Sequence, residues 1–169
     1  MELLLSAPPW TEKNCLFRKM KVLFLDFDGV LNSDKCITAQ SGSGVVIDPA
    51  KMPLLKEIID VTEAKIVLST SWREHWDKNP DLCDSIGKDI NRIFARSNLQ
   101  IFDKTPSLSV RREKEIEAWL TENKPKSFVV LDDMLLQSDL LLGHFVKVSS
   151  HFGGLDASDV KSAIEILNS

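Results

Sequence analysis

The 169-residue chain is poor in cysteine, has no long apolar run and carries no excess of positive charge. Its three cysteines, Cys15, Cys36 and Cys83, are odd in number, widely spaced and form no CxxC pair, which excludes a zinc ribbon or a dithiol redox motif. They read as free thiols in a reducing, cytoplasmic compartment. No apolar stretch approaches the ~20 residues that a spanning helix needs, so no membrane partner is expected. Lys and Arg number 21 against 25 Asp and Glu, a net charge of −4. That balance argues against a strong nonspecific binder of nucleic acid or anionic membrane, which would be basic. His75, His144 and His151 lack metal-ligand spacing. No internal repeat or low-complexity segment is present, and no Gly-x-Gly-x-x-Gly follows a strand, so a dinucleotide-dependent dehydrogenase is excluded.

What is present is an ordinary globular composition, 43% hydrophobic and 27% charged, enough for a core without disulfides. Met1 to Pro9 lacks a basic n-region and makes a poor signal peptide. Residues 1–19 are expected to be an N-terminal tail, and residues 20–169 one domain.

The order of elements follows from hydrophobic patterning. Val22-Leu23-Phe24-Leu25 has no polar alternation, as in a strand buried on both faces of a parallel sheet. Asp48-Pro49 predicts a helix start, and apolar spacing carries that helix over residues 49–63. Ile66-Val67-Leu68 is the second strand, and residues 83–96 the next helix. Leu99 to Phe102 reads as a short strand and residues 109–122 as an amphipathic helix ended by Lys124-Pro125. Phe128 to Leu131 and Phe145 to Val148 are two more strands. A capping box over Asp156 to Asp159 opens the last helix. Such alternation predicts an α/β sandwich with a mostly parallel five-stranded sheet.

Three of these strands end in polar clusters: Asp26/Asp28, Ser69/Thr70/Ser71 and Asp132/Asp133. Parallel sheets bind ligands beyond the carboxyl ends of their strands. Four carboxylates gathered in one crevice repel each other unless a cation compensates, and Mg²⁺ suits few carboxylates plus water plus a phosphate. In Asp26-Phe27-Asp28-Gly29 the two acids leave the strand on the same side. One can attack phosphorus as a nucleophile while the other gives and takes protons, and Gly29 lets the chain turn at once. Trp72 could stack on a base or pack at the rim, and Arg73 could touch phosphate or form a surface ion pair. The Ser41-to-Gly44 loop could be a small flap or a mobile surface loop without function.

From about Lys21 to the C-terminus the sequence resembles the haloacid dehalogenase-like (HAD) superfamily of phosphohydrolases. Val22 to Leu31 matches the first motif, Ser69 the second and Asp132-Asp133 the fourth. Arg111, Arg112 and Lys114 compete for the basic third motif. Arg112 is preferred because Arg112-x-x-Glu115-Ile116 with Trp119, Ser69 to Arg73 and the Gly153-Gly154-Leu155 turn resemble one branch. That branch is the phosphatase-like domain of Swiss-Army-knife RNA-repair proteins. The resemblance implies a three-layer, Rossmann-like fold and a Mg²⁺-dependent phosphatase. Its catalytic residues would be Asp26 as nucleophile, Asp28 as acid/base, Ser69 and Arg112. Substrate would be held by Ser69, Thr70, Arg73 and Arg112, and the metal by Asp26, the Asp28 carbonyl, Asp132 and Asp133.

Between the first and second motifs lie 40 residues, and between the second and third 42, each containing a core helix, so no large cap domain fits. An open site suits large substrates such as phosphorylated RNA or nucleotide ends. Phosphoproteins and small metabolites are the alternatives, as is a catalytically silent binding module on the same fold. Residues 87–126 carry a local charge of +3 and the remainder −7, weak support for a phosphate-facing side. A receiver domain also gathers acids and a hydroxyl around Mg²⁺, but its acidic pair comes early in the chain, whereas here it comes late.

Overall fold

A computed structural model describes residues 19–33, 36, 44–108 and 111–169. The expected tail, except Lys19, lies outside the described residues, as do Cys15 and the Ser41-to-Gly44 loop up to its final glycine. Five parallel strands form one sheet: β1 (Lys21–Leu25), β2 (Lys65–Leu68), β3 (Ile101–Lys104), β4 (Ser127–Asp132) and β5 (Phe145–Lys147). Their order is β3-β2-β1-β4-β5, with Leu25 paired to Leu68 on one side and Leu131 on the other. Four α-helices accompany them among the described residues: α1 (Met52–Thr62), α2 (Ser85–Arg96), α3 (Arg112–Asn123) and α4 (Ala157–Asn168).

The unbroken apolar strands are buried on both faces, as their lack of alternation requires. Leu23, Leu25, Ile66, Leu68 and Leu131 point to one face, where α1, α2 and α4 cover them with Leu55, Ile58, Phe94, Val160 and Ala163. Val22, Phe24, Val67 and Val130 point to the other, against Ile116, Trp119 and Leu120 of α3 and Leu136 and Leu141 after β4. Phe24 meets Trp119 edge-on at 5.3 Å between centroids, a favoured aromatic geometry. The result is a three-layer α/β sandwich.

Boundaries differ from the sequence expectations where local capping decides them. Pro49–Lys51 is a 3-10 turn capped by Asp48 ahead of α1. Asp84 accepts from the Gly87 N–H at 2.9 Å and starts α2 at Ser85 rather than Cys83. Leu99 is spent closing α2, its N–H bonding to Phe94 O, so β3 begins two residues later than expected. The Asp156–Asp159 capping box forms as the sequence indicates.

Candidate active site

The chain leaves β1 towards β2 and β3, then returns to build β4 and β5 on the other side, so the topological switch lies between β1 and β4. A crevice opens there at the carboxyl ends of the strands. Asp26 continues the ladder one residue past β1, its N–H donating to Leu131 O at 3.1 Å, and Asp132 is the last residue of β4. Both side chains therefore meet at the switch. Asp26, Asp132 and Asp133 each bring a carboxylate oxygen within 4.8 Å of the others, with Asp26 and Asp132 buried.

Burial pushes the Asp26 carboxyl up to about 6; Arg112 opposes the rise and the Asp132 charge adds to it. The Asp133 carboxyl is raised as well, by burial and then by Asp132. Arg112 sits at the first residue of α3, whose N-terminus points its guanidinium into the cluster. One nitrogen, Nη1, donates both to Asp26 Oδ2 and to Asp132 Oδ2, the latter at 2.6 Å. Burial alone would make Arg112 easier to deprotonate, but the two carboxylates more than reverse this and hold it charged. Arg111 is exposed and pairs with Glu113, and Lys114 pairs with Glu117, so of the three basic candidates Arg112 is the one that enters the cluster.

Gly29 has φ +79°, and a Cβ there would lie 2.3 Å from Asp133 Oδ2. Glycine thus gives both the left-handed turn after the strand and the space the Asp133 carboxylate fills. Asp28, two residues past Asp26, keeps its carboxylate apart from the other three. Its Oδ1 accepts from Asn32 Nδ2 at 3.0 Å and its Oδ2 from the Trp72 indole at 2.9 Å.

Ser69 follows β2 directly and is fully buried, its N–H donating to Leu25 O at 3.0 Å. Its hydroxyl has no hydrogen-bond partner among the described residues. A buried orphan hydroxyl is rare and calls for a ligand or water. Thr70 uses its hydroxyl to cap the 3-10 turn Ser71–His75. Arg73 turns away from the acidic cluster: it is buried, donating to Thr70 O at 2.9 Å and to Glu115 Oε2 at 2.6 Å. His144 stacks on Phe128, and His75 pairs with Asp84.

The donor set fits a hard divalent cation: three carboxylates within reach of one another, two of them desolvated, beside an unsatisfied hydroxyl. Sequence reasoning gives no role to Asn32, to Ser150, which bonds the Asp133 carboxylate, or to Glu115, which enters there only as part of the family pattern. Glu115 and Ser150 reach their partners across the fold, Asn32 bonds Asp28 within the turn after β1, and none carries a periodic signal of its own.

An α/β sandwich with an Asp-x-Asp-Gly after its central strand, a hydroxyl after one neighbouring strand and an acidic pair at the end of the other defines the HAD class of domains. Within that class, the family model described as the HAD domain in Swiss Army Knife RNA repair proteins matches residues 22–160, and the chain belongs to this family. No curated protein and no solved structure gives a significant match. Among the described residues no helix is long and apolar enough to cross a membrane.

Proposed function

We propose that the protein is a Mg²⁺-dependent phosphomonoester hydrolase that works through an aspartyl phosphate on Asp26, with a phosphorylated RNA or nucleotide end as substrate. The observation that carries this reading is the junction of Asp26, Asp132, Asp133 and Arg112, with Asp28 held beside it. Asp26, the Asp28 carbonyl and Asp132 would hold the Mg²⁺, with Asp133 acting through water; the ion would neutralise phosphate charge and help align the attack.

In the first step an Asp26 oxygen forms a bond to phosphorus as the bond to the leaving oxygen breaks, and Asp28 gives that oxygen a proton. In the second, Asp28 takes a proton from water, whose oxygen attacks phosphorus and frees Asp26. Arg112 and the Ser69 hydroxyl stabilise charge on the phosphoryl oxygens. Thr70 and Arg73, spent on capping and on Glu115, support this shell rather than the phosphate itself.

The nucleic-acid preference rests on the family's description and on the short intervals between motifs, which leave no room for a large cap domain. The test is Mg²⁺-dependent phosphate release from p-nitrophenyl phosphate, mononucleotides, 3′- and 5′-phosphorylated RNA and phosphopeptides. Turnover of RNA ends, lost in Asp26→Asn, is expected. Turnover that survives Asp26→Asn would sink the mechanism. Preference for phosphopeptides or small metabolites would move the substrate class, and silence on the whole panel would make the domain a binding module.

A further inference from the structure

Asp28 lies just past β1, in a turn over residues 28–31 where no strand ladder fixes it. Its two carboxylate oxygens nevertheless each have a donor, from different parts of the chain. Asn32 is fully buried, and its amide orientation is dictated on both sides: Oδ1 accepts from the Gly29 N–H at 2.8 Å, and Nδ2 donates to Val46 O at 2.8 Å. With the oxygen committed to an N–H, the amide nitrogen must face Asp28. A Cβ on Gly154 (φ +78°) would lie 2.5 Å from Asn32 O, and Leu155 N–H bonds Val30 O, so a second turn presses on this one.

The other donor, the Trp72 indole, comes from the turn after β2. Thr70 Oγ1 caps that turn at the Trp72 N–H, and Arg73 N–H bonds Thr70 O at 3.2 Å. Arg73 in turn is tied to Glu115 on α3. Thus one short segment, Thr70 to Arg73, touches Asp28 directly and braces the helix that presents Arg112.

We infer that Trp72 is a positioning residue for Asp28: with Asn32, its indole N–H fixes the carboxyl that must face the leaving oxygen. This rests on the hydrolase reading above. An indole aimed at Asp28 is not free to lie as a bare stacking plane; its contribution is directional, a single donor at 2.9 Å. Each oxygen can still accept a second bond, leaving room for the transferred proton. Proton donation depends on this orientation, and misplacement of a catalytic group costs rate steeply.

Leaving-group dependence tests it. kcat/KM covers the steps up to release of the alcohol, where Asp28 acts as acid; an alkyl phosphate needs that proton and p-nitrophenyl phosphate needs it little. Trp72→Phe keeps an aromatic ring, though a smaller one, and removes the N–H. It is expected to lower kcat/KM by about 10- to 100-fold on the alkyl phosphate and by under about threefold on p-nitrophenyl phosphate. Equal losses on both substrates mean a merely structural tryptophan and overturn the proposal. Should Trp72→Phe fold poorly, Asp28→Asn supplies the second measurement: the Trp72 indole N–H resonance, one of four tryptophans in the chain, moves upfield as its acceptor weakens. An unmoved resonance overturns the contact. A wild-type protein silent on every phosphate ester removes the hydrolase reading, and this inference with it; an active wild type with unchanged leaving-group ratios removes this inference alone.

Discussion

At the scale of single residues the site is held together against its own charge. Asp26 is 3% exposed and its carboxyl is pushed up to about 6 by burial, with Arg112 opposing and Asp132 adding. Below about pH 3 the group is neutral folded and unfolded alike. As pH rises towards 6 the unfolded chain releases this proton first, so the folded state loses stability and carries the full cost above 6. Asp26→Asn, neutral throughout, is therefore expected to stabilise the metal-free protein at pH 7 by up to about 3 kcal/mol, the gain fading to nothing below about pH 3. Urea unfolding of both proteins across that range checks it; a pH-independent difference would mean that packing, not ionisation, sets the effect. Gly29 carries the opposite expectation. Alanine there must adopt φ +79° and displace the Asp133 carboxylate, so Gly29→Ala is expected to destabilise the fold by roughly 1–3 kcal/mol, measured in the same way.

At the scale of elements, the Arg73–Glu115 pair joins the turn after β2 to α3. Both side chains are buried, Glu115 also accepts from Leu108 N–H at 3.0 Å, and Arg73 Nε has no partner among the described residues. Breaking a buried pair on one side leaves a charge uncompensated. Glu115→Gln and Arg73→Met are each expected to cost about 3 kcal/mol, and the double variant clearly less than the sum; additive losses in denaturant midpoints would exclude the coupling. The strands that carry the site were legible in the sequence because their apolar runs are short, continuous and each end in oxygen-bearing residues: Leu25 to Asp26, Leu68 to Ser69, Leu131 to Asp132. The family pattern offers Arg111, Arg112 and Lys114 for the basic position and favours Arg112, and its place at the first residue of α3 aims it at Asp26. The Arg73–Glu115 pair was not legible, because 42 positions separate the partners and each alone looks like a solvated charge on a surface turn or helix. β3 begins two residues later than hydropathy indicates because Leu99 is apolar yet belongs to the helix end, a distinction made by backbone hydrogen bonding.

At the scale of the whole molecule, the sheet order brings Asp26, Asp132 and Asp133 to one switch point, and Arg112 is the cation the fold itself supplies there. One guanidinium nitrogen serves two carboxylates, while Asp133 has the Ser150 hydrogen bond and only the smaller pull of the Arg112 charge against burial and Asp132. The cluster is thus under-compensated, and a divalent cation should stabilise the folded state by mass action. Mg²⁺ at 100 times its dissociation constant would add about 2.7 kcal/mol. The expected outcome is a rise in melting temperature with Mg²⁺, reversed by a chelator and abolished in Asp132→Asn, which removes a carboxylate without opening a cavity. Arg112→Met sharpens the test, because it removes the protein's own cation from between the acids. That variant is expected to lose stability in the metal-free state, with Asp26 taking up a proton at higher pH than in the wild type. It should also gain more from Mg²⁺ than the wild type does. A variant that is destabilised but no more responsive to Mg²⁺ would mean that Arg112 and the ion do not share these carboxylates, and that the acids at the switch point are balanced by the fold alone.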